Sequence, residues 1–117
     1  MAPFERIGNE NFCYLTTVGR KSGKPHTTEL WFAYESGNLY VLSGGGESAD
    51  WVRNLRKTPA VHVRIGSRTV AAKARAVTAP EEDAMARRLL DEKYMGWKTG
   101  KALSSWARNS LPVKIAL

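Results

Sequence analysis

The chain is poor in the residues that define most metal and thiol chemistries. Among 117 residues there is one cysteine, Cys13, and two histidines, His26 and His62. A lone thiol excludes an internal disulfide and any cysteine-based metal cluster. Neither histidine has an acid or cysteine at ligand spacing, so no metal site is expected. Also missing is an apolar run near the roughly 18 residues needed to cross a bilayer. The opening Met1-Ala2-Pro3-Phe4-Glu5 lacks the apolar core of a secretory leader. These absences predict a soluble, cytoplasmic protein. With no repeat, linker or low-complexity segment, residues 1–117 read as a single domain.

Acid is scarce too. Eleven Asp plus Glu stand against 18 Lys plus Arg, a net charge of +7, and such a field favours an acidic small molecule, nucleic acid or an anionic surface. Nucleic acid is disfavoured because the cations cluster in turns and are not interleaved with exposed aromatics, as single-strand binders require.

What is present alternates with period two. Phe12 to Val18 is rich in aromatic and β-branched residues and ends at Gly19, which predicts a strand. Thr27 to Tyr34 predicts a second, and Ser36-Gly37-Asn38 turns it into a third, Leu39 to Ser43. Val61 to Ile65 and Arg68 to Val77 form a hairpin about Gly66-Ser67, and Leu111 to Leu117 closes the chain as a sixth strand. A short helix is predicted between Ser48, as N-cap, and the stop at Pro59, with Trp51, Val52 and Leu55 as its apolar stripe. A longer one runs from a Thr78–Glu81 capping box to about Tyr94, with Met85, Ala86, Leu89, Leu90 and Tyr94 facing inward. The expected fold is mainly β: a six-stranded antiparallel barrel with helices at its edge.

Two segments carry the chemistry. Gly19-Arg20-Lys21-Ser22-Gly23-Lys24 closes the first strand with a turn bearing three positive charges, a hydroxyl and two glycines. Glycines let backbone N–H groups converge, and Arg and Lys add charge-assisted donors, so the turn suits a phosphate or carboxylate. It is not a Walker loop, since three residues separate the glycines and Pro25 stands where Ser or Thr should bind magnesium. His26 directly follows and is placed to touch the same anion. Gly44-Gly45-Gly46 lies between a strand and a helix, yet positions 65 to 80 hold no acid to complete a dinucleotide fingerprint. A close-approach loop for a flat ring is the better functional reading. On the helix that follows, Trp51 reads as core while Arg53 or Asn54 points toward the loop; Cys13 reads as inert packing.

The segments Leu15 to Pro25, Leu39 to Gly46 and Asp50 to Val61 together resemble the deazaflavin (F420)-dependent nitroreductase family, within the superfamily of FMN-binding split β-barrels. The resemblance spans about residues 12 to 77 and implies a split barrel. It also implies coenzyme F420, a deazaflavin with a phosphate and an oligoglutamate tail. By that likeness Arg20, Lys21, Ser22 and Gly23 would hold phosphate and tail, with Lys24 and His26 as auxiliaries. Ser43, Gly44 and Gly45 would lie along the ring, and Trp51 and Asn54 would complete the wall. The implied activity is hydride transfer from reduced cofactor to a small electron-poor acceptor such as a quinone, enone or nitroaromatic. Ser43 would polarise ring or acceptor, and Tyr94 would donate a proton or line the pocket. The alternatives are an FMN reductase, or a non-catalytic flavin or haem carrier on the same barrel. A homodimer is expected, as split barrels of this kind commonly pair. His26 and Glu29 stand where the family pattern commonly has arginine and proline.

Overall fold

The computed structural model describes residues 10–117; the leader reading of Met1 to Glu5 lies outside them. Seven strands form one antiparallel sheet: β1 (Cys13–Val18), β2 (Pro25–Leu30), β3 (Ala33–Glu35), β4 (Asn38–Ser43), β5 (Ala60–Ile65), β6 (Arg68–Ala76) and β7 (Leu111–Ala116). Their order is β2-β1-β5-β6-β7-β4-β3. The two edge strands, β2 and β3, are consecutive in sequence and separated only by Trp31 and Phe32. The sheet therefore curls until its edges meet at that dipeptide, and the barrel is joined there by covalent chain instead of by a ladder.

Here the expected second strand, residues 27–34, divides, and the count is seven strands rather than six. The cause lies in where the hydrogen bonds of Phe32 go. Its N–H donates to the Tyr94 hydroxyl (3.0 Å). The proton of that hydroxyl lies between the carbonyls of Phe32 and Asn11, at 2.9 and 2.8 Å. The Lys93 ammonium donates to Phe32 O (2.9 Å) and to Glu10 O (2.6 Å), and covers the Phe32 ring at 3.9 Å. Buried backbone groups need partners, and at this seam helix side chains supply them. Burial holds the Lys93 ammonium below its ordinary range.

The barrel interior follows from the alternation. Cys13 and Leu15 of β1, Leu39 and Val41 of β4, Val61, Val63 and Ile65 of β5, and Val113 and Ile115 of β7 are buried in one cluster with Phe32. Helix α1 (Asp50–Lys57) caps this interior with Val52 and Leu55. Helices α2 (Pro80–Met95) and α3 (Ser105–Asn109) lie outside, over β3 and β4, where Ala33, Tyr40 and Leu42 meet Val77, Ala86, Leu90 and Ala107 in a second cluster. Strand β4 is consequently covered on both faces, and residues 39–43 are all buried. At the end of the chain Val113 and Ile115 are in the core, while Leu117 is exposed.

Both predicted helix caps fail. Ser48 belongs to a 3-10 turn, Gly46–Ser48, and α1 starts after Ala49 with no side-chain cap. Helix α2 starts after Ala79, with Pro80 in its first turn and no capping box between Thr78 and Glu81. Proline there needs no N–H partner, and Glu82 is instead drawn onto the sheet. Its carboxylate accepts from the Tyr40 hydroxyl (2.7 Å) and pairs with Lys114 (3.1 Å).

Candidate functional site

The basic turn and α1 build one cleft of about 370 Å3, lined by Gly19, Arg20, Lys21, Ser22, His26, Thr27, Thr28, Asp50, Trp51 and Asn54. Six of the expected cofactor residues thus converge: Arg20, Lys21, Ser22, His26, Trp51 and Asn54. Asn54 is the keystone. It is 4% exposed; its Oδ1 accepts from the Arg20 backbone N–H (3.1 Å) and from Arg20 Nη1 (2.9 Å), and its Nδ2 donates to Thr17 Oγ1 (3.2 Å). Arg20 Nη2 reaches Asp50 at 3.1 Å, and Lys57 donates to the Arg20 carbonyl (2.8 Å). The turn is therefore held by α1 at four points before any ligand arrives.

The turn closes on itself as well. Gly19 N–H donates to the Lys24 carbonyl (2.8 Å), Gly23 N–H to the Gly19 carbonyl (2.9 Å), and Lys24 N–H to Ser22 Oγ (3.1 Å). A methyl group at Gly19 would sit 2.7 Å from both His26 Nε2 and Ser22 Oγ, so only glycine lets the imidazole and hydroxyl meet over the backbone. Gly23 takes φ +73°, a left-handed value that suits glycine, and it borders a separate groove. Lys24 is exposed and does not line the cleft.

The glycine loop stands apart from these linings. Ser43 is 2% exposed and donates its hydroxyl proton to the Gly46 carbonyl (2.9 Å). Gly44 is exposed with open space around it, and Gly45 approaches Ala49, the residue before α1. The loop thus meets the start of α1 while the basic turn runs along the helix from Asp50 to Lys57, without a shared cleft wall. Tyr94 lies at the seam with its hydroxyl committed to backbone, and burial pushes that hydroxyl up to about 12. Cys13 is fully buried, its thiol also pushed up to about 12 by burial.

Sequence reasoning missed Thr27, Thr28 and Asp50 as lining residues. The signal for Asp50 was its place in the first turn of α1, opposite three cations. It also missed Trp31, which is stacked on Tyr94 at 4.5 Å and 1°, and set edge-on to Trp106 at 5.3 Å and 84°.

The chain is thus a split antiparallel barrel with a cationic, glycine-edged cleft along its capping helix. The chain belongs to the F420H(2)-dependent quinone reductase family, whose model matches residues 5–117. It is 32% identical over 101 residues to Rv3178 of Mycobacterium tuberculosis, described as an F420H(2)-dependent quinone reductase, with 82% of this chain and 80% of that protein covered. Among solved structures, Rv2991 of M. tuberculosis is 22% identical with a TM-score of 0.80, covering 98% of this chain and 79% of that one. An F420-H2 dependent reductase, FDR-A, is 22% identical with a TM-score of 0.68, covering 91% and 94%. At these identities the structural likeness speaks to the fold. The chain is an F420-dependent oxidoreductase, and the expected fold and cofactor class hold. Among the described residues no helix is long and apolar enough to cross a membrane.

The residues present fit F420. The His26 imidazole and the Ser22 hydroxyl meet over Gly19, and Lys21 lines the same cleft; such a donor set matches phosphate and carboxylate oxygens.

Proposed function

We propose that the turn 19–24 holds the phosphate and glutamyl tail of F420, and that the chain passes hydride from the reduced cofactor to a small electron-poor acceptor of the quinone class. The observation that carries this is the convergence of Arg20, Lys21, Ser22, His26, Trp51 and Asn54 on one cleft. When bound, the cofactor supplies the hydride; the protein supplies position and exclusion of water. Lys21, Ser22 and His26 offer donors to the anion, with Lys24 joining from the rim and Gly23 giving the turn its shape. Arg20 contributes charge while its fork fixes the turn on Asn54 and Asp50. Trp51 walls the cleft. Ser43 acts by position, its hydroxyl bond to Gly46 shaping the loop in which Gly44 and Gly45 admit the ring edge. Tyr94 is a backing for the Trp31 ring rather than a proton donor, because its hydroxyl is committed to two carbonyls.

Titration of the purified protein with F420 and, separately, with FMN tests the assignment. F420 should bind at micromolar protein or below, and Lys21→Glu should weaken it about tenfold or more by reversing one charge at the anion. Retention of neither cofactor would overturn it, and tight FMN binding alone would favour the FMN reading.

We also infer a homodimer of cytoplasmic protein. Among the described residues no helix covers the outward side of β1, β2 and β5, which presents Thr16, Val18, Thr27, Ala60 and His62 beside the Tyr14, Glu29 and Arg64 cluster, a mixed surface open to a second copy. Light scattering should give twice the 13.0 kDa of one chain.

A further inference from the structure

The anion cleft holds one group whose charge can change near neutral pH. Its charged lining residues are Arg20, Lys21 and Asp50, and its only imidazole is His26. Imidazole alone among unperturbed side chains gains or loses its charge between roughly pH 5 and 8.

The ring is well placed and uncommitted. His26 is the second residue of β2, in register with Thr17 of β1. Thr17 is buried and accepts from Asn54, so the strand pair beneath the imidazole is tied to α1. Nε2 stands 3.5 Å from Ser22 Oγ, longer than the roughly 2.7–3.2 Å of a well-made bond. Ser22 Oγ already accepts from the Lys24 N–H at 3.1 Å, which leaves its own proton to be donated elsewhere. Gly19 lies directly beneath both groups, since a methyl there would meet Nε2 and Oγ at 2.7 Å. An imidazole and a hydroxyl are thus held over bare backbone, each with bonding capacity to spare.

The charges that face this ring come from few elements. The turn supplies Arg20 and Lys21, with Lys24 outside the cleft lining; α1 supplies Asp50, paired with Arg20 at 3.1 Å, and Lys57, which donates to the Arg20 carbonyl. β1 sets Thr17 opposite and adds no charge. Glu29 of β2 is three residues on, hence on the other face of the sheet, and is bonded to Tyr14. Among the described residues, therefore, no unpaired acid faces the imidazole before a ligand arrives. A seated phosphate or glutamyl carboxylate sets negative charge beside it, and a facing anion favours the charged form of a base. The imidazolium also donates from both ring nitrogens, where the neutral ring donates from one.

We propose that His26 couples F420 binding to proton uptake: the imidazole takes a proton from solvent as the anionic part of the cofactor seats, and returns it on release. The proposal rests on the assignment of that anion to the turn 19–24 and adds a regulation to it. Affinity is then greatest at mildly acidic pH and falls as pH rises through neutrality.

The test is isothermal titration calorimetry of the full chain with F420 in phosphate-free buffers of different ionisation enthalpy, where the change of observed heat with buffer counts the protons taken up. At pH 7.5 wild type should take up a measurable fraction of one proton. Its Kd should weaken about three- to tenfold between pH 6 and 8, the difference between a charge-assisted and a neutral hydrogen bond. His26→Gln should lose the uptake and show the weaker Kd throughout; His26→Arg, charged at every pH used, should lose the uptake and keep the tighter Kd. His62→Gln alters the chain's other imidazole, exposed on β5, and should behave as wild type. Equal uptake in wild type and His26→Gln would overturn the proposal. A reading free of substitution is the NMR resonance of the His26 Cε1 proton, which should move to its imidazolium position when F420 is added at pH 7.5; a resonance that stays at the neutral position would overturn it as well. If wild type retains no F420, the functional reading fails instead. The same resonance, followed during titration with sulfate, an anion with no proton to exchange in this range, then decides whether an anion in the cleft protonates His26.

Discussion

Replacing Asn54 separates what holds the basic turn from what the turn holds. Asn54→Ala removes three hydrogen bonds at a residue 4% exposed, two of them between neutral groups and one to the Arg20 guanidinium. A neutral bond contributes about 0.5–1.5 kcal/mol net and one to a charged group about 1.5–3. Arg20 keeps Asp50 and can turn to water, so the loss should fall near the lower end of the total, about 2–4 kcal/mol. For a domain of this size 1 kcal/mol moves Tm by about 4 °C, which predicts a drop of roughly 8–16 °C by calorimetry. F420 affinity should fall with it, since an untethered turn must be ordered on binding. Asn54→Asp is the informative partner. It keeps an acceptor for both Arg20 donors, and the Thr17 hydroxyl can donate to it, so the fold should survive with a loss under about 1.5 kcal/mol. The added negative charge would still repel phosphate, and affinity should fall while Tm holds. If Asn54→Ala melts within 2 °C of wild type, the keystone argument is wrong.

Three further outcomes follow from ionisable groups away from the cleft. Cys13, pushed up to about 12 by burial, should resist a thiol-specific disulfide reagent at pH 8 and react fully once urea unfolds the chain; rapid stoichiometric labelling of native protein would contradict its burial. The Tyr40 hydroxyl and then Lys114 hold the Glu82 carboxyl below its ordinary range, although burial pushes the other way. The unfolded chain therefore binds more protons in that window, and Glu82's contribution is complete above the ordinary carboxylate range and lost as pH falls through the folded value. Urea midpoints between pH 3 and 7 should show a flatter acid limb in Glu82→Gln than in wild type. Tyr40 is itself pushed up to about 12 by burial and then by Glu82. Folded protein keeps that proton longer than unfolded chain, so stability should fall as pH rises from about 10 to 12.

The regular elements were legible because burial on one face imposes period two. The expected strand 61–65 is Ala60–Ile65, 68–77 is Arg68–Ala76 and 111–117 is Leu111–Ala116. The seam was not legible. Thr27 to Tyr34 is rich in aromatic and β-branched residues with no glycine or proline, and what breaks its ladder is a tyrosine hydroxyl 62 residues away. The helix caps misled for a related reason: Thr78 and Ser48 match the short-range pattern, but the long-range demand of Tyr40 and Lys114 for Glu82 and of Arg20 for Asp50 decides where each helix sits. Asp91 would read as a solvated helix residue, yet it is 1% exposed and accepts from the N–H and hydroxyl of Ser104 (2.8 and 2.7 Å), fixing the start of α3. At the candidate site, the gathering of cations in the turn was readable from composition and spacing. Which of them face a ligand was not, because Asn54 and Asp50 lie 30 or more residues from Arg20.

That distinction changes how the cleft's charge is counted. An aspartate in a cleft for phosphate is repulsive unless its charge is already spent, and Asp50 spends it on Arg20 at 3.1 Å. Arg20 in turn gives one fork nitrogen to Asp50 and the other to Asn54, and only 20% of its side chain remains exposed. The pair is nearly neutral as seen by a ligand, so the net attraction among the cleft's lining residues comes from Lys21. This division explains why arginine stands at 20 and lysine at 21. A planar fork can bridge an amide and a carboxylate on one helix, which an ammonium cannot do in fixed geometry, whereas a lysine on an exposed turn can follow a flexible polyanionic tail. In the proposed assignment one cation builds the turn and its neighbour serves the ligand, and the helix that carries Asn54 also fills the barrel with Val52 and Leu55. The anion cleft therefore inherits its rigidity from the hydrophobic core.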